Sequence, residues 1–259
     1  MRSLVTILLA ALCGFAAAPA GAHDFGPYLQ AGLRLQVMPT LPRLKDPEGA
    51  ALLTVLGDNG RFLDREPFGQ DDMNTLMDVC GVANRINVAY LLHDLQKSVA
   101  GVDKNDAQAV ARAMQSAAMN NVLEYQDEIA LVMPFSLRCQ ARIAPLMVTF
   151  LRDLPPEQLT DIRKGGVRQA QNGSYSSYVG YLSTITGDGI KEANLRRFSA
   201  AMADSAPAFA SILPLPMRRQ LRDLATATKA RAPAALADDL SKVIEAMDSE
   251  SCSAMCAMR

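Results

Sequence analysis

From Asp71 onward the apolar positions recur at intervals of three and four, the spacing that lines side chains along one face of an α-helix. Leu76, Val79, Cys80, Ala83, Ile86, Tyr90 and Leu91 draw one stripe over 72–97. Val110, Met114, Ala118, Val122, Tyr125, Ile129 and Val132 draw a second, within a run over 105–151. Pro134 and Pro145 each remove a backbone donor from that run, so a break or kink is expected at one or both. A further helix is expected from Pro155 or Pro156, with Leu159, Ile162, Gly166 and Ala170 inward and a stop or bend at Asn172 and Gly173. Asn194, Phe198, Met202, Ala206, Phe209 and Leu213 continue the pattern, bent or ended near Pro207. Pro214 and Pro216 introduce a helix carrying Met217, Leu221, Leu224 and Thr228, and Pro233 introduces the last, with Leu236, Leu240, Val243, Ile244 and Met247 inward. The expectation is an all-α, irregular multi-helix bundle of about seven to nine helices. No fixed-period repeat is visible, so a solenoid is not supported.

The first seventy residues read differently. Over 23–47, Pro27, Pro39, Pro42 and Pro47 accompany a short alternation of Leu33, Leu35 and Val37, which predicts an extended Pro-rich arm lying over the helical body. Asp46 before Pro47 is a helix-start signal, and Gly57 closes a candidate helix over 48–56. The competing reading is a hairpin turning at 57–60 between 53–56 and 61–63. Further upstream, Arg2 precedes an uncharged apolar stretch over 4–18 and then Pro19, Ala20, Gly21 and Ala22. That is the layout of a signal peptide cut after Ala22 or Ala20. Its apolar core falls short of the roughly 20 residues a membrane span needs, and no later segment supplies one. The chain therefore divides into a signal peptide (1–22), the arm (23–47), a single helical domain (48–248) and a Cys/Met-rich tail (249–259), with a periplasmic or secreted destination.

Export changes what the cysteines mean. Of the 5 in the chain, Cys13 leaves with the signal peptide, and Cys80, Cys139, Cys252 and Cys256 remain in an oxidising compartment. Four cysteines allow three pairings. Cys80 with Cys139 would join two helices, and Cys252 with Cys256 would close a ring in the tail; the alternative ties the tail to the body by crossed bridges. The longer loop would contribute about 4 kcal/mol by loss of unfolded-chain entropy. A bridge across four residues requires the last helix to end before the tail, because a regular helix aims those two Cβ atoms badly.

Charge and composition mainly exclude. With 26 basic and 27 acidic side chains, a formal net charge of -1 offers no global field for a phosphate backbone, and export removes nucleic acid as a partner. Only 2 histidines are present, too few for most histidine-rich metal sites. His93, followed by Asp94, could act as a base oriented by a carboxylate, yet no activated nucleophile accompanies it. Glu124, Asp127 and Glu128 stand at helical spacing on one face and are the candidate acid/base carboxylates; a cleft collecting them with Arg138 or Arg142 would favour catalysis, and a face open to solvent would favour an interaction role. Arg163, Lys164 and Arg168 precede Tyr175, Tyr178 and Tyr181, either a patch for an anionic surface or helix-surface charge beside core tyrosines. His23 near a new N-terminus and the tail residues Cys252, Met255, Cys256 and Met258 are soft-metal candidates, copper above all.

Leu154, Pro155, Pro156, Glu157 and Gln158 resemble, over five residues, the Leu-Thr-x-x-Gln motif of small periplasmic helical chaperones, with Pro155 in place of the threonine. Capping alone accounts for Pro and Glu at a helix start, and no functional residue is carried over. The reading these features favour is a non-catalytic cell-envelope binding or interaction protein without a cofactor, partnered by another envelope protein or component. The alternatives are a carboxylate-based hydrolase and copper handling through the tail.

Overall fold

A computed structural model describes residues 25–38, 40–57, 68–249 and 252–257. The segment 1–22, His23, Pro39, positions 58–60 of the proposed hairpin turn with 61–63, and Met258 lie outside the described residues. Within them the chain is helical, with nine helices of 11 residues or more and no strand. They are α1 (Gly26–Gln36), α2 (Pro47–Gly57), α3 (Met73–Leu91), α4 (Ala107–Glu124), α5 (Gln126–Arg152), α6 (Asp161–Ile185), α7 (Glu192–Ile212), α8 (Leu215–Lys229) and α9 (Ala237–Asp248). The all-α disulfide-stabilised bundle is thus the fold.

Two helices organise the rest. The 27-residue α5 packs along α7 on one side and α3 on the other, with α2 across it. The far side of α7 receives α6 and α9, and α8 is wedged between those two. One continuous core follows, from Tyr28 stacked on Phe135, through Leu53, Leu76, Ile129 and Phe198, to Leu221, Leu240 and Val243.

Several sequence expectations need correction, each for a physical reason. The arm is not extended, because Gly26–Gln36 is helical. Pro27 stands in its first turn, where a missing N–H costs nothing, and Leu33, Leu35 and Val37 belong to different faces of a helix, with Leu35 buried and the other two exposed. Leu53 and Leu56 are buried positions of α2, not strand residues. Pro134 and Pro145 lie inside an uninterrupted α5, and Pro207 inside α7; packing on several sides outweighs the lost hydrogen bonds. The break comes earlier, at Tyr125, which ends α4 and precedes α5. Asn172 and Gly173 are likewise interior to α6.

That helix starts later than expected, after a 3-10 turn at Pro156–Gln158, with the Thr160 hydroxyl accepting from the Arg163 N–H. The shift changes which side chains face inward. Val167, Gln171, Ser174, Tyr178, Tyr181 and Ile185 are buried, whereas Ile162 is 87% exposed and Gly166 is exposed too. Met114 of the predicted α4 stripe is also exposed, and Ala117 and Val122 carry that interface. The α3 helix stops at Leu91 because Asn121 donates to the Leu91 and His93 carbonyls at 3.0 and 2.8 Å, and the chain then turns through Asp94 at φ 52°.

Both the interhelical and the tail cysteine pairs are bridged. Cys80–Cys139 joins α3 to α5 with Cα atoms 5.6 Å apart, and Cys252–Cys256 closes the tail at 5.3 Å after α9 has ended. Among the described residues, no helix is long and apolar enough to cross a membrane. The tail is docked into the body: Met255 is fully buried, Gln171 donates to the carbonyls of Ile212 and Met255 at 3.0 and 2.7 Å, and the Ser253 N–H and hydroxyl both reach the Ser211 carbonyl. Arg218, buried in α8, donates to the Ser249 carbonyl at 2.6 Å.

The two bridges differ in access, since Cys80 and Cys139 are 3% and 0% exposed while Cys252 is open to solvent. Thiolate attack requires contact with sulfur. Under native conditions a mild thiol will therefore open Cys252–Cys256 first, read as alkylation of those two cysteines by peptide mass mapping, and Cys80–Cys139 will resist until the protein unfolds.

Candidate functional site

The three candidate carboxylates are not gathered on one helix face. The break at Tyr125 leaves Glu124 at the end of α4 and puts Asp127 and Glu128 in the first turn of α5, where negative charge complements the exposed N–H groups. Each has a structural partner. Asp127 accepts from the Lys191 ammonium at 2.5 Å and from Asn194 at 2.9 Å, which ties the start of α7 to the start of α5. Those hydrogen bonds, Lys191 first, hold its pKa below the ordinary carboxylate value.

Glu124 and Glu128 both face Arg43, which lies on the strap between α1 and α2. The Arg43 Nε donates to Glu128 at 3.1 Å, Nη1 to the Glu124 carboxylate at 3.2 Å and Nη2 to the Glu124 carbonyl at 3.4 Å. Glu128 is buried and accepts a further bond from the Leu44 N–H at 3.0 Å. Burial opposes the charge on Arg43, and Glu128 and then Glu124 outweigh it. The guanidinium also lies 4.4 Å from the centre of the Tyr125 ring, a cation–π contact. From α3, the Tyr90 hydroxyl donates to the Pro42 carbonyl at 2.5 Å. Burial, followed by Glu128, pushes the Tyr90 pKa far above its usual value, so it remains a donor. From α2, Gly49 allows the strap to lie directly on the helix, since a Cβ there would stand 2.6 Å from the Arg43 carbonyl oxygen and 2.7 Å from its nitrogen.

The strap so fixed forms one wall of a groove of about 390 Å³, the size of a small-molecule site. Leu35 and Met38 from the end of α1, Leu41 and Pro42 from the strap, and Val82 and Ile86 from α3 line it. Arg85, Ala89 and Thr40 form its exposed rim, with half-buried His93 at one end. His93 stands edge-on to Tyr125, with ring centres 5.5 Å apart, and its Nε2 lies 3.8 Å from Asp94. Asp94 is held by Lys97 at 2.8 Å. Among the described residues, the groove lining contains no acidic side chain.

The remaining sequence candidates fall elsewhere. Arg138 pairs with Asp204 at 2.7 Å and lies about 15 Å along α5 from Glu128, with Arg142 about 21 Å away, so neither joins the acids. Tyr178 and Tyr181 are buried, Tyr178 bonding the Met202 carbonyl and Ser205, while Arg163 donates to the Gln158 carbonyl at 2.6 Å. The proposed anionic-surface patch is therefore divided between core and surface. In the tail, Cys252 and Cys256 are joined to one another and Met255 is fully buried. No group of three or more His, Cys, Asp or Glu side chains suited to a metal ion occurs among the described residues.

Sequence reasoning missed Arg43, Tyr90, Gly49 and the groove. Arg43 and its acidic partners are 81 and 85 residues apart, and nothing local links them. The fold and site define the class: a disulfide-bridged helical bundle with a strapped apolar groove. No protein-family model, curated protein or solved structure matches the chain.

Two predictions separate structural from catalytic roles. In urea unfolding, Glu128→Ala will cost about 2 kcal/mol because the Leu44 N–H loses its acceptor and Arg43 loses one of its two carboxylates, whereas Glu124→Ala, more than half exposed, will cost under about 1 kcal/mol. Gly49→Ala will cost about 2 kcal/mol by forcing a Cβ into the Arg43 backbone. The control Gly173→Ala, with nothing within 4 Å of the new Cβ, will stabilise by about 0.5–1 kcal/mol.

Proposed function

We propose that the protein is an exported, non-catalytic binding protein of the cell envelope, acting through the groove beneath the strap. The observation that carries this reading is the division of labour around the strap. The three acids that resemble catalytic groups are engaged in holding backbone segments together, while the adjoining concave surface is mainly apolar and, among the described residues, free of acidic side chains. A hydrolase built on carboxylates needs one as a proton donor or nucleophile facing substrate; Glu128 faces Arg43 and the Leu44 N–H instead. Two disulfides accord with an oxidising compartment, and the apolar segment 4–18 supports export.

The test is capture from the native envelope fraction by the mature, oxidised protein beside an Ala89→Phe variant. Ala89 is an exposed α3 residue on the groove rim, so a phenyl ring there occupies the groove without disturbing the core. A specific envelope component retained by the wild type and lost by Ala89→Phe, at unchanged thermal stability, is the expected result. Equal capture by both would overturn the groove as the site. Hydrolytic turnover abolished by Glu124→Gln or Asp127→Asn would replace the reading with the hydrolase.

A further inference from the structure

We infer that the groove takes a monomeric long-chain carboxylate, its head group on Arg85 and its chain along Ile86, Ala89 and Pro42. This rests on the binding reading above and names the chemistry of the ligand. Arg85 forms no hydrogen bond or ion pair among the described residues, a state it shares with Arg112, Arg168, Arg197 and Arg219; what sets it apart is its place in the groove lining, where the neighbouring Arg43 is already taken up by Glu124 and Glu128. A guanidinium offers paired N–H donors that match the two oxygens of a carboxylate. Asp94, next to the groove-lining His93, is paired with Lys97, and among the described residues the groove lining contains no acid to compete. One positive charge beside an apolar recess is complementary to one negative charge on an apolar chain.

Dimensions agree with that occupant. From Val82 to the end of α3 at Leu91 the floor runs about 13 Å at helical rise, room for most of an extended twelve-carbon chain with bonds of about 1.5 Å. An anionic bilayer is the less fitting source of the same chemistry. Surface binding of that kind relies on clusters of about four to eight basic residues, and among the described residues Arg85 is the only Lys or Arg in the groove lining.

The test uses dodecanoate, below its micellar concentration and at pH 8, titrated calorimetrically into the full mature protein with both bridges intact. Dodecanol serves as the uncharged counterpart. The expected result is one dodecanoate per chain, bound at least tenfold more tightly than dodecanol. Arg85→Gln should weaken dodecanoate at least tenfold and leave dodecanol unchanged, and Ala89→Phe should abolish both. No dodecanoate binding, binding that neither substitution alters, or equal affinity for the alcohol would overturn the inference. Arg85-dependent sedimentation with phosphatidylglycerol vesicles, without dodecanoate binding, would overturn it in favour of a membrane surface. Envelope capture lost by Ala89→Phe but without dodecanoate binding overturns the ligand class alone, whereas failure of both overturns the binding reading as well.

Discussion

Glu128 presents a carboxylate to the interior of the bundle, and a charge so placed must be matched on the spot or the surrounding structure cannot form. Three sources match it. The first turn of α5 contributes the positive end of its dipole, the Leu44 N–H contributes a backbone donor, and Arg43 contributes a guanidinium. Two of those belong to the strap, so neutralising Glu128 amounts to fixing the strap on α5. The remaining strap contacts follow from that position: Tyr90 reaches Pro42 from α3, and Gly49 lets α2 approach the Arg43 backbone. Four helices thereby meet at one short segment, which is also a wall of the groove.

The parts of this arrangement legible in sequence were those with a local cause. The α3 stripe, the Asp46 and Pro47 helix start, the prolines that open α8 and α9, and the cysteine pairing all follow from periodicity, backbone chemistry or compartment. Where the readings failed, tertiary packing prevailed over a local signal. Pro134, Pro145 and Pro207 read as breakers but remain inside helices buried along much of their length. Tyr125 carries no breaker signal at all, yet the chain leaves helical geometry there, with Arg43 taking the Glu124 carbonyl and stacking on the ring. On one uninterrupted helix over 105–151, Glu124, Asp127 and Glu128 would form a single acidic face. In the folded chain they bracket a junction, and their spacing is that of a helix end followed by a helix start.

The groove was beyond sequence for a different reason. Its lining comes from α1, the strap and α3, and over so short a span the alternating leucines of α1, with Pro27 in it and further prolines after it, fit an extended pattern as well as a helical one. Once it is helical, Gly32 can lie against Val82, where a Cβ would stand 2.4 Å from a methyl carbon. That close approach sets the spacing between α1 and α3 and therefore the width of the recess.

Rigidity of the floor follows from the neighbouring bridge. Cys80 is two residues from Val82 on the same helix and is tied to Cys139 in the centre of the core. The strap wall is fixed by Glu128 and Tyr90, and the α1 wall by stacking of Tyr28 on Phe135. All three sides are thus anchored to α5, directly or through α3, by contacts unlike in kind: a covalent bond, a compensated buried charge and aromatic packing. A recess held in this way need not be reorganised on filling, so the apolar area it buries is not offset by the cost of ordering its walls. The same anchoring accounts for the contrast between its arginines, since Arg43 is consumed in building the wall and Arg85, one helix away, is left facing the space that the wall encloses.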